Sequence, residues 1–160
     1  MSRRLDELCR IGKLAPVPVQ LGPRDQTFRR LFWTKEFERW CHTIIADEIK
    51  TRSIAAVDEQ LNHAFADFVG GRPLTGMTKV DPPRGQGLWK LKTPDLRLYG
   101  WADDTNCMVL VTGEYKRVLV ASGPPKDKDL GAVVVTTRRD FCFTEWKYGE
   151  IYEVFPKAPR

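Results

Sequence analysis

The sequence predicts an α+β fold in which an antiparallel β-sheet packs against an N-terminal two-helix hairpin, with an extension at each end of the chain. Three observations predict it. Between residues 35 and 69 the apolar side chains recur at three- and four-residue steps, the period of an amphipathic helix. From residue 88 the pattern changes to alternation, the period of a strand. The segments that alternate are joined by turns of two to four residues, which favour antiparallel neighbours.

Residues 2–12 predict a short helix with Leu5, Leu8, Cys9 and Ile11 on one side, and Pro16, Pro18 and Pro23 then force an extended run. Residues 1–26 are therefore a basic, proline-containing extension. Phe28-Arg29-Arg30-Leu31-Phe32-Trp33 carries the bulky residues of a strand, and Thr34 stands where it can cap the helix that follows. That helix, from Lys35 to about Lys50, is marked by Phe37, Trp40, Cys41, Ile44, Ile45 and Ile49, with Glu36 and Glu38 where the helix dipole favours negative charge. Ser53 offers a second N-cap, and Ile54, Val57, Leu61, Ala64, Phe65 and Phe68 continue the spacing to Gly70-Gly71. Strands are expected at 88–92, 96–102 and 107–113. Residues 126–140 are ambiguous: Val133-Val134-Val135 favours a strand by propensity, but Leu130, Val133, Val134, Thr137 and Phe141 fit one helix face, and helix is the reading preferred. Residues 144–160, with Trp146, Tyr148, Tyr152 and Phe155, are too aromatic for a free tail and are expected to dock as a strand or hairpin. The body between the extensions spans 27–143, a size that suits one core.

Composition excludes several classes. No run approaches the roughly 18 apolar residues of a membrane span, and the N-terminus has no apolar segment of signal-peptide length, so a soluble, cytoplasmic protein is expected. Cys9, Cys41, Cys107 and Cys142 lie far apart without C-x-x-C spacing, which argues for free thiols over a zinc knuckle or disulfide framework. His42 and His63 fall within the predicted helices without an acidic neighbour at ligand spacing, and Asp103-Asp104 beside Thr105-Asn106 reads as a turn; no metal is expected. Gly85-Gln86-Gly87 lacks the lysine and helix start of a phosphate loop, so no nucleotide cofactor is expected, and no cofactor of any other kind. Ser122 and the cysteines have no recognisable base partner.

Charge points instead to an anionic partner. The net charge is +5, and an acidic middle (four basic and seven acidic side chains over 31–71) separates two basic regions, 1–30 and 72–129. In an extended Leu88-Trp89-Lys90-Leu91-Lys92, both lysines share one face while Trp89 and Leu91 take the other. Arg97 follows a tight turn and alternates with Tyr99 and Trp101 on the same side of the next strand. A sheet face with cations for phosphates and rings for unpaired bases suits RNA, although charged residues on an exposed antiparallel face are also ordinary.

The order of elements and the local text resemble RelE/HigB-type toxins. The resemblance rests on Leu31-Phe32-Trp33-Thr34-Lys35-Glu36-Phe37, on Gly70-Gly71 followed by Pro73-Leu74, and on Gly87-Leu88-Trp89-Lys90-Leu91-Lys92. Two later stretches add to it: Leu96-Arg97-Leu98-Tyr99, and Val109 to Arg117, which contains Thr112-Gly113-Glu114-Tyr115-Lys116. It covers roughly 110 residues, and its motifs are short. It implies a metal-free endoribonuclease that cleaves messenger RNA at the ribosome and is silenced by an antitoxin protein. The 2′-hydroxyl would attack the adjacent phosphate, which needs a base, a stabiliser of phosphorane charge and an acid. The resemblance assigns Lys92 as base with Lys90 assisting, Arg97 to the phosphate, and Lys116 or Arg117 to the leaving group or to RNA anchoring. Arg84, Tyr99, Trp101 and Tyr115 are the expected RNA contacts. Where many members carry a histidine or tyrosine, Tyr115, Tyr148 and Tyr152 remain alternatives. The segment matching the family's final helix is unusually valine-rich, and both extensions lie outside the usual domain. Two competing readings stand beside the enzyme: a module of the same fold that binds RNA, a ribosome or a protein without cleavage, and a phage or mobile-element protein whose extensions engage a host complex.

Overall fold

A computed structural model describes residues 3–48, 56–75, 79–81, 87–143 and 149–159. The chain runs α1 (Arg3–Arg10), β1 (Leu14–Pro16), β2 (Arg30–Thr34), α2 (Lys35–Glu48), α3 (Val57–Val69), β3 (Lys79–Asp81), β4 (Leu88–Lys92), β5 (Leu96–Asp104), β6 (Cys107–Tyr115), α4 (Lys116–Ser122), α5 (Pro124–Asp140) and α6 (Ile151–Val154). The fold is α+β, and its six strands form one sheet in the order β1-β2-β6-β5-β4-β3.

The sheet is mixed, which corrects the antiparallel expectation. β4 to β6 form the expected meander, each strand antiparallel to the next, and β3, in a stretch that the alternation did not mark as a strand, adds antiparallel to β4. β2 lies parallel to β6, with Phe32 opposite Val109 and Trp33 opposite Leu110. The reason is topological. β2 runs into α2, and with α3 the chain crosses to the far edge of the sheet, so the returning meander brings its last strand beside β2 in the same direction. β1 adds antiparallel to the outer side of β2, so part of the N-terminal extension is an edge strand of the same sheet.

Both faces of the sheet are covered. On one side Phe37, Cys41 and Ile44 of α2 and Val57, Leu61, Phe65 and Phe68 of α3 pack on Trp33, Trp89, Leu91, Leu98 and Leu110. Thr34 caps α2 through its Oγ1, which accepts the Phe37 N–H at 3.2 Å. The expected cap at Ser53 lies outside the described residues. α3 begins after Ala56 without a side-chain cap. On the other side Leu5 and Leu8 of α1, Leu130 and Val134 of α5, and Phe143 pack on Phe32, Tyr99, Trp101 and Val109. Residues 124–140 are thus helical: Pro124 and Pro125 fill the first turn, where their missing N–H groups cost nothing, and the valine run serves a helix face. α1 meets the expectation of a short helix, and its apolar side is buried.

The C-terminal segment docks as a single helical turn, where a strand or hairpin was expected. Glu150 and Glu153 form a capping box around α6. Phe155 then enters the first core edge-on, 5.1 Å from Phe68 and 4.9 Å from Trp89 between ring centroids. Trp146 and Tyr148 lie outside the described residues. Arg29, fully buried, holds this segment: its guanidinium donates to the carbonyls of Phe68, Arg72, Phe155 and Pro156 at 2.7 to 3.1 Å. Burial lowers its pKa to about 10, so it is still cationic at neutral pH.

β5 and β6 are irregular at two points, one between Ala102 and Asp104, where Asp103 is the extra residue, and one beside Gly100. Tyr99 pairs with Thr112 and Gly100 with Leu110, so Val111 is the extra residue of a bulge. Gly100 sits there because a Cβ would overlap the Val109 carbonyl.

Replacing Arg29 by Met removes the donors of four backbone carbonyls, two of them in the C-terminal segment. Arg29→Met is expected to lower stability by about 3 kcal/mol or more in urea unfolding. A loss under about 1 kcal/mol would show that solvent replaces those bonds without penalty.

Candidate nucleic-acid interface

β4 and β5 pair with Lys90 opposite Tyr99 and Lys92 opposite Arg97, and β5 and β6 with Arg97 opposite Glu114. Because side chains directly opposite share a face, Lys90, Lys92, Arg97, Tyr99 and Glu114 all project on the α5 side. The sequence left open whether Arg97 joins the lysine face, and the strand register puts it there.

That face is not open along its length. Tyr99 and Trp101 are fully buried beneath α5 and Phe143, and the Trp101 and Phe143 ring centroids are 5.3 Å apart. Neither ring presents a face to a base, which corrects their expected role as stacking contacts: the apolar side of α5 needs a partner surface, and these rings supply it. What remains accessible is the end of the face where β4, β5 and β6 meet the first turn of α5. Lys92, Arg97 and Glu114 are half-buried there.

α5 brings two charged side chains to this end. Gly123, with φ +73°, turns the chain between α4 and α5 and sets Lys126 and Asp127 over the strands. The Asp127 carboxylate accepts two hydrogen bonds from Lys90 Nζ, at 2.7 and 2.8 Å, and one from the Tyr99 hydroxyl at 2.7 Å. Burial first, then the hydrogen bond to Asp127 and its charge, push the Tyr99 hydroxyl far above the usual phenol range, so it stays a donor. Lys90 also lies over the Tyr99 ring, 5.2 Å from its centroid. Lys126 Nζ stands 3.8 Å from Glu114 Oε2. Four cations, Lys90, Lys92, Arg97 and Lys126, thus surround two carboxylates, Asp127 and Glu114, and the balance favours an anion.

Arg97 is held by its own turn. Its Nη1 donates to the carbonyls of Thr93 and Leu96, both at 2.7 Å. That turn is pinned from α3: the Thr93 hydroxyl donates to Gln60 Oε1 at 2.9 Å, and Gln60 Nε2 donates to Asp95 Oδ2 at 2.8 Å.

The remaining predicted residues fall elsewhere. Lys116 and Arg117 open α4 and are exposed, with the Arg117 guanidinium 4.7 Å from the centroid of the half-buried Tyr115 ring. Tyr115 is opposite Leu96 and packs on the α2 and α3 side, so it stands across the sheet from Lys90, Lys92 and Arg97. Arg84 lies outside the described residues. Glu114, Lys126 and Asp127 were missed by sequence reasoning. Glu114 was detectable, because a carboxylate in the strand after Arg97 is a candidate cross-strand partner; the α5 pair depends on how a distant helix docks.

Among the described residues, no group of three or more His, Cys, Asp or Glu is placed to hold a metal ion. His63 does have an acidic neighbour one turn on, Asp67, with Nε2 and Oδ2 3.1 Å apart. Asp67 is shared with Arg72, so this is a surface ion-pair chain. No helix among the described residues is long and apolar enough to cross a membrane. No family model, curated protein or solved structure matches the chain.

Burial, followed by nearby carboxylates, raises the Cys41 thiol to about 12, and burial does the same for Cys107. Both stay protonated through the neutral range and lack nucleophilic thiolate. Brief maleimide treatment of the folded protein at pH 8, read by mass spectrometry, is expected to label exposed Cys142 first and to spare Cys41 and Cys107 until denaturant is added. Early label on either buried thiol would contradict this.

Proposed function

We propose that the protein is a RelE/HigB-like endoribonuclease of toxin type, cytoplasmic, acting without a metal on messenger RNA at the ribosome and open to silencing by an antitoxin protein. The observation that carries the reading is the in-register set Lys90, Lys92 and Arg97, gathered with Lys126 at the accessible end of the sheet. The order of strand, two helices, meander and C-terminal helix supports it as well. Scissile phosphate would rest on Arg97, whose planar fork suits two oxygens and whose turn is fixed by Gln60 and Thr93. Lys92, opposite Arg97, is the base that takes the 2′-hydroxyl proton; as the 2′-oxygen bonds to phosphorus the P–O5′ bond breaks, leaving a cyclic phosphate and a 5′-oxygen that takes a proton from water. Lys116 and Arg117, near the end of the same strands, guide the flanking RNA.

One observation favours the binding-module reading instead: Lys90 is already engaged by Asp127, and the rings expected to stack on bases are buried. Mapping RNA ends after brief induction in bacteria separates the two. Wild type is expected to produce new 5′-hydroxyl ends inside translated frames, and Arg97→Ala and the Lys90→Ala/Lys92→Ala double variant to reduce them by about 100-fold or more. Ribosome or RNA binding without any cuts by wild type would leave the module reading standing and remove the enzyme.

A further inference from the structure

We propose that Asp127 is a positioning residue of the RNA site, holding the Lys90 ammonium so that Nζ meets a phosphate of single-stranded RNA. The inference rests on the proposed RNA function and adds to it a residue on a helix that the sequence pattern did not connect to the site.

The geometry is a chain of three groups. Tyr99 is fully buried, and its hydroxyl fixes Asp127 Oδ1 at 2.7 Å. Asp127 in turn holds the Lys90 Nζ between its two carboxylate oxygens at 2.7 and 2.8 Å, a contact that one bifurcated N–H satisfies. A free lysine samples many rotamers and loses that freedom when it binds; one held in place has already lost it. Lys90 keeps 24% of its side-chain surface exposed. A purely structural account gives Asp127 the task of fastening α5, but Leu130 and Val134 already bury the helix against the sheet. The contact with Lys90 then has no structural need to be bidentate.

Charge and positioning predict opposite signs. Removing a carboxylate beside a cationic site should by charge alone tighten RNA binding, more so at low salt. Loss of positioning should weaken it.

The test is fluorescence anisotropy of a labelled single-stranded oligouridylate at low salt, with thermal unfolding of each variant alongside. Asp127→Asn is expected to weaken binding about three- to tenfold, and Asp127→Glu to recover part of the loss. In a Lys90→Ala background, Asp127→Asn should add nothing, because its effect passes through Lys90. Tyr99→Phe keeps the buried ring, removes the hydroxyl and should weaken binding in the same direction, which carries the test should Asp127→Asn fail to fold. Unchanged or tighter binding by Asp127→Asn, or a full extra loss in the Lys90→Ala background, overturns the proposal. If Arg97→Ala weakens binding while Asp127→Asn does not, only the positioning role falls. A wild-type protein that ignores the oligonucleotide overturns the RNA reading and this inference together.

Discussion

The rest of the structure depends on the burial of β5 and β6 on both faces. Along β5, Leu96, Leu98, Tyr99, Trp101 and Ala102 are all buried, and the charged side chains sit toward its ends, at Arg97, Asp103 and Asp104. A strand covered on both sides has nowhere else to put them. The charge of β5 is thereby held at the rim of the sheet. Covering Tyr99 and Trp101 stabilises the fold by on the order of 4 kcal/mol each, from 150 to 250 Å² of ring and stem at about 25 cal/mol per Å². The ion pair between Lys90 and Asp127, with the carboxylate 41% exposed, is worth no more than about 1 kcal/mol after solvent screening. Apolar burial therefore sets where α5 lies, and the ion pair only orients what it joins.

Arg29 supplies a second anchor of a different kind. An unpaired buried guanidinium is costly, yet here it donates to four carbonyls near the junction of β2, α3 and the C-terminal segment. The clamp holds the Phe155 backbone, and the Phe155 ring lies edge-on to Phe68 and Trp89, closing the core beneath β4. The end of the chain is in this way tied to the strand that carries Lys90 and Lys92. At the other terminus, β1 on β2 and Leu5 and Leu8 on Phe32 do the same work for the N-terminal extension.

Local periodicity made much of this visible. Phe37, Cys41 and Ile44 share a helix face and the core uses that face; Trp89 and Leu91 alternate with Lys90 and Lys92, and the sheet is built so. The shared face of Lys90 and Lys92 at the rim followed from alternation. Pairings between distant segments were not legible. Nothing in Arg30 to Thr34 indicates that its partner is Cys107 to Tyr115 or that the two run parallel, because either direction satisfies the same alternation. Burial of Tyr99 and Trp101 was misread for a related reason. Leu96, Leu98, Tyr99 and Trp101 put apolar residues on both sides of β5, the signature of a strand covered twice, but each side read alone resembles a half-exposed strand. Two of the three residues at the site that sequence reasoning missed, Lys126 and Asp127, come from the segment whose periodicity was ambiguous between helix and strand.

The split of the basic residues between the two sides of the rim bears on how a strand of RNA would lie. Lys90, Lys92, Arg97 and Lys126 face the α5 side, while Tyr115 packs toward α3 with Arg117 stacked on its ring. A duplex is too wide and stiff to contact both groups around the end of three strands, whereas a flexible single strand can bend there, its phosphates following the cations from one side to the other. Since Tyr99 and Trp101 are buried, among the described residues the Tyr115 and Arg117 pair is the predicted surface left on which a base could rest, and it lies beyond the cations of the α5 side. On the proposed RNA reading, burial of the two rings would move base contact from the sheet face to its edge.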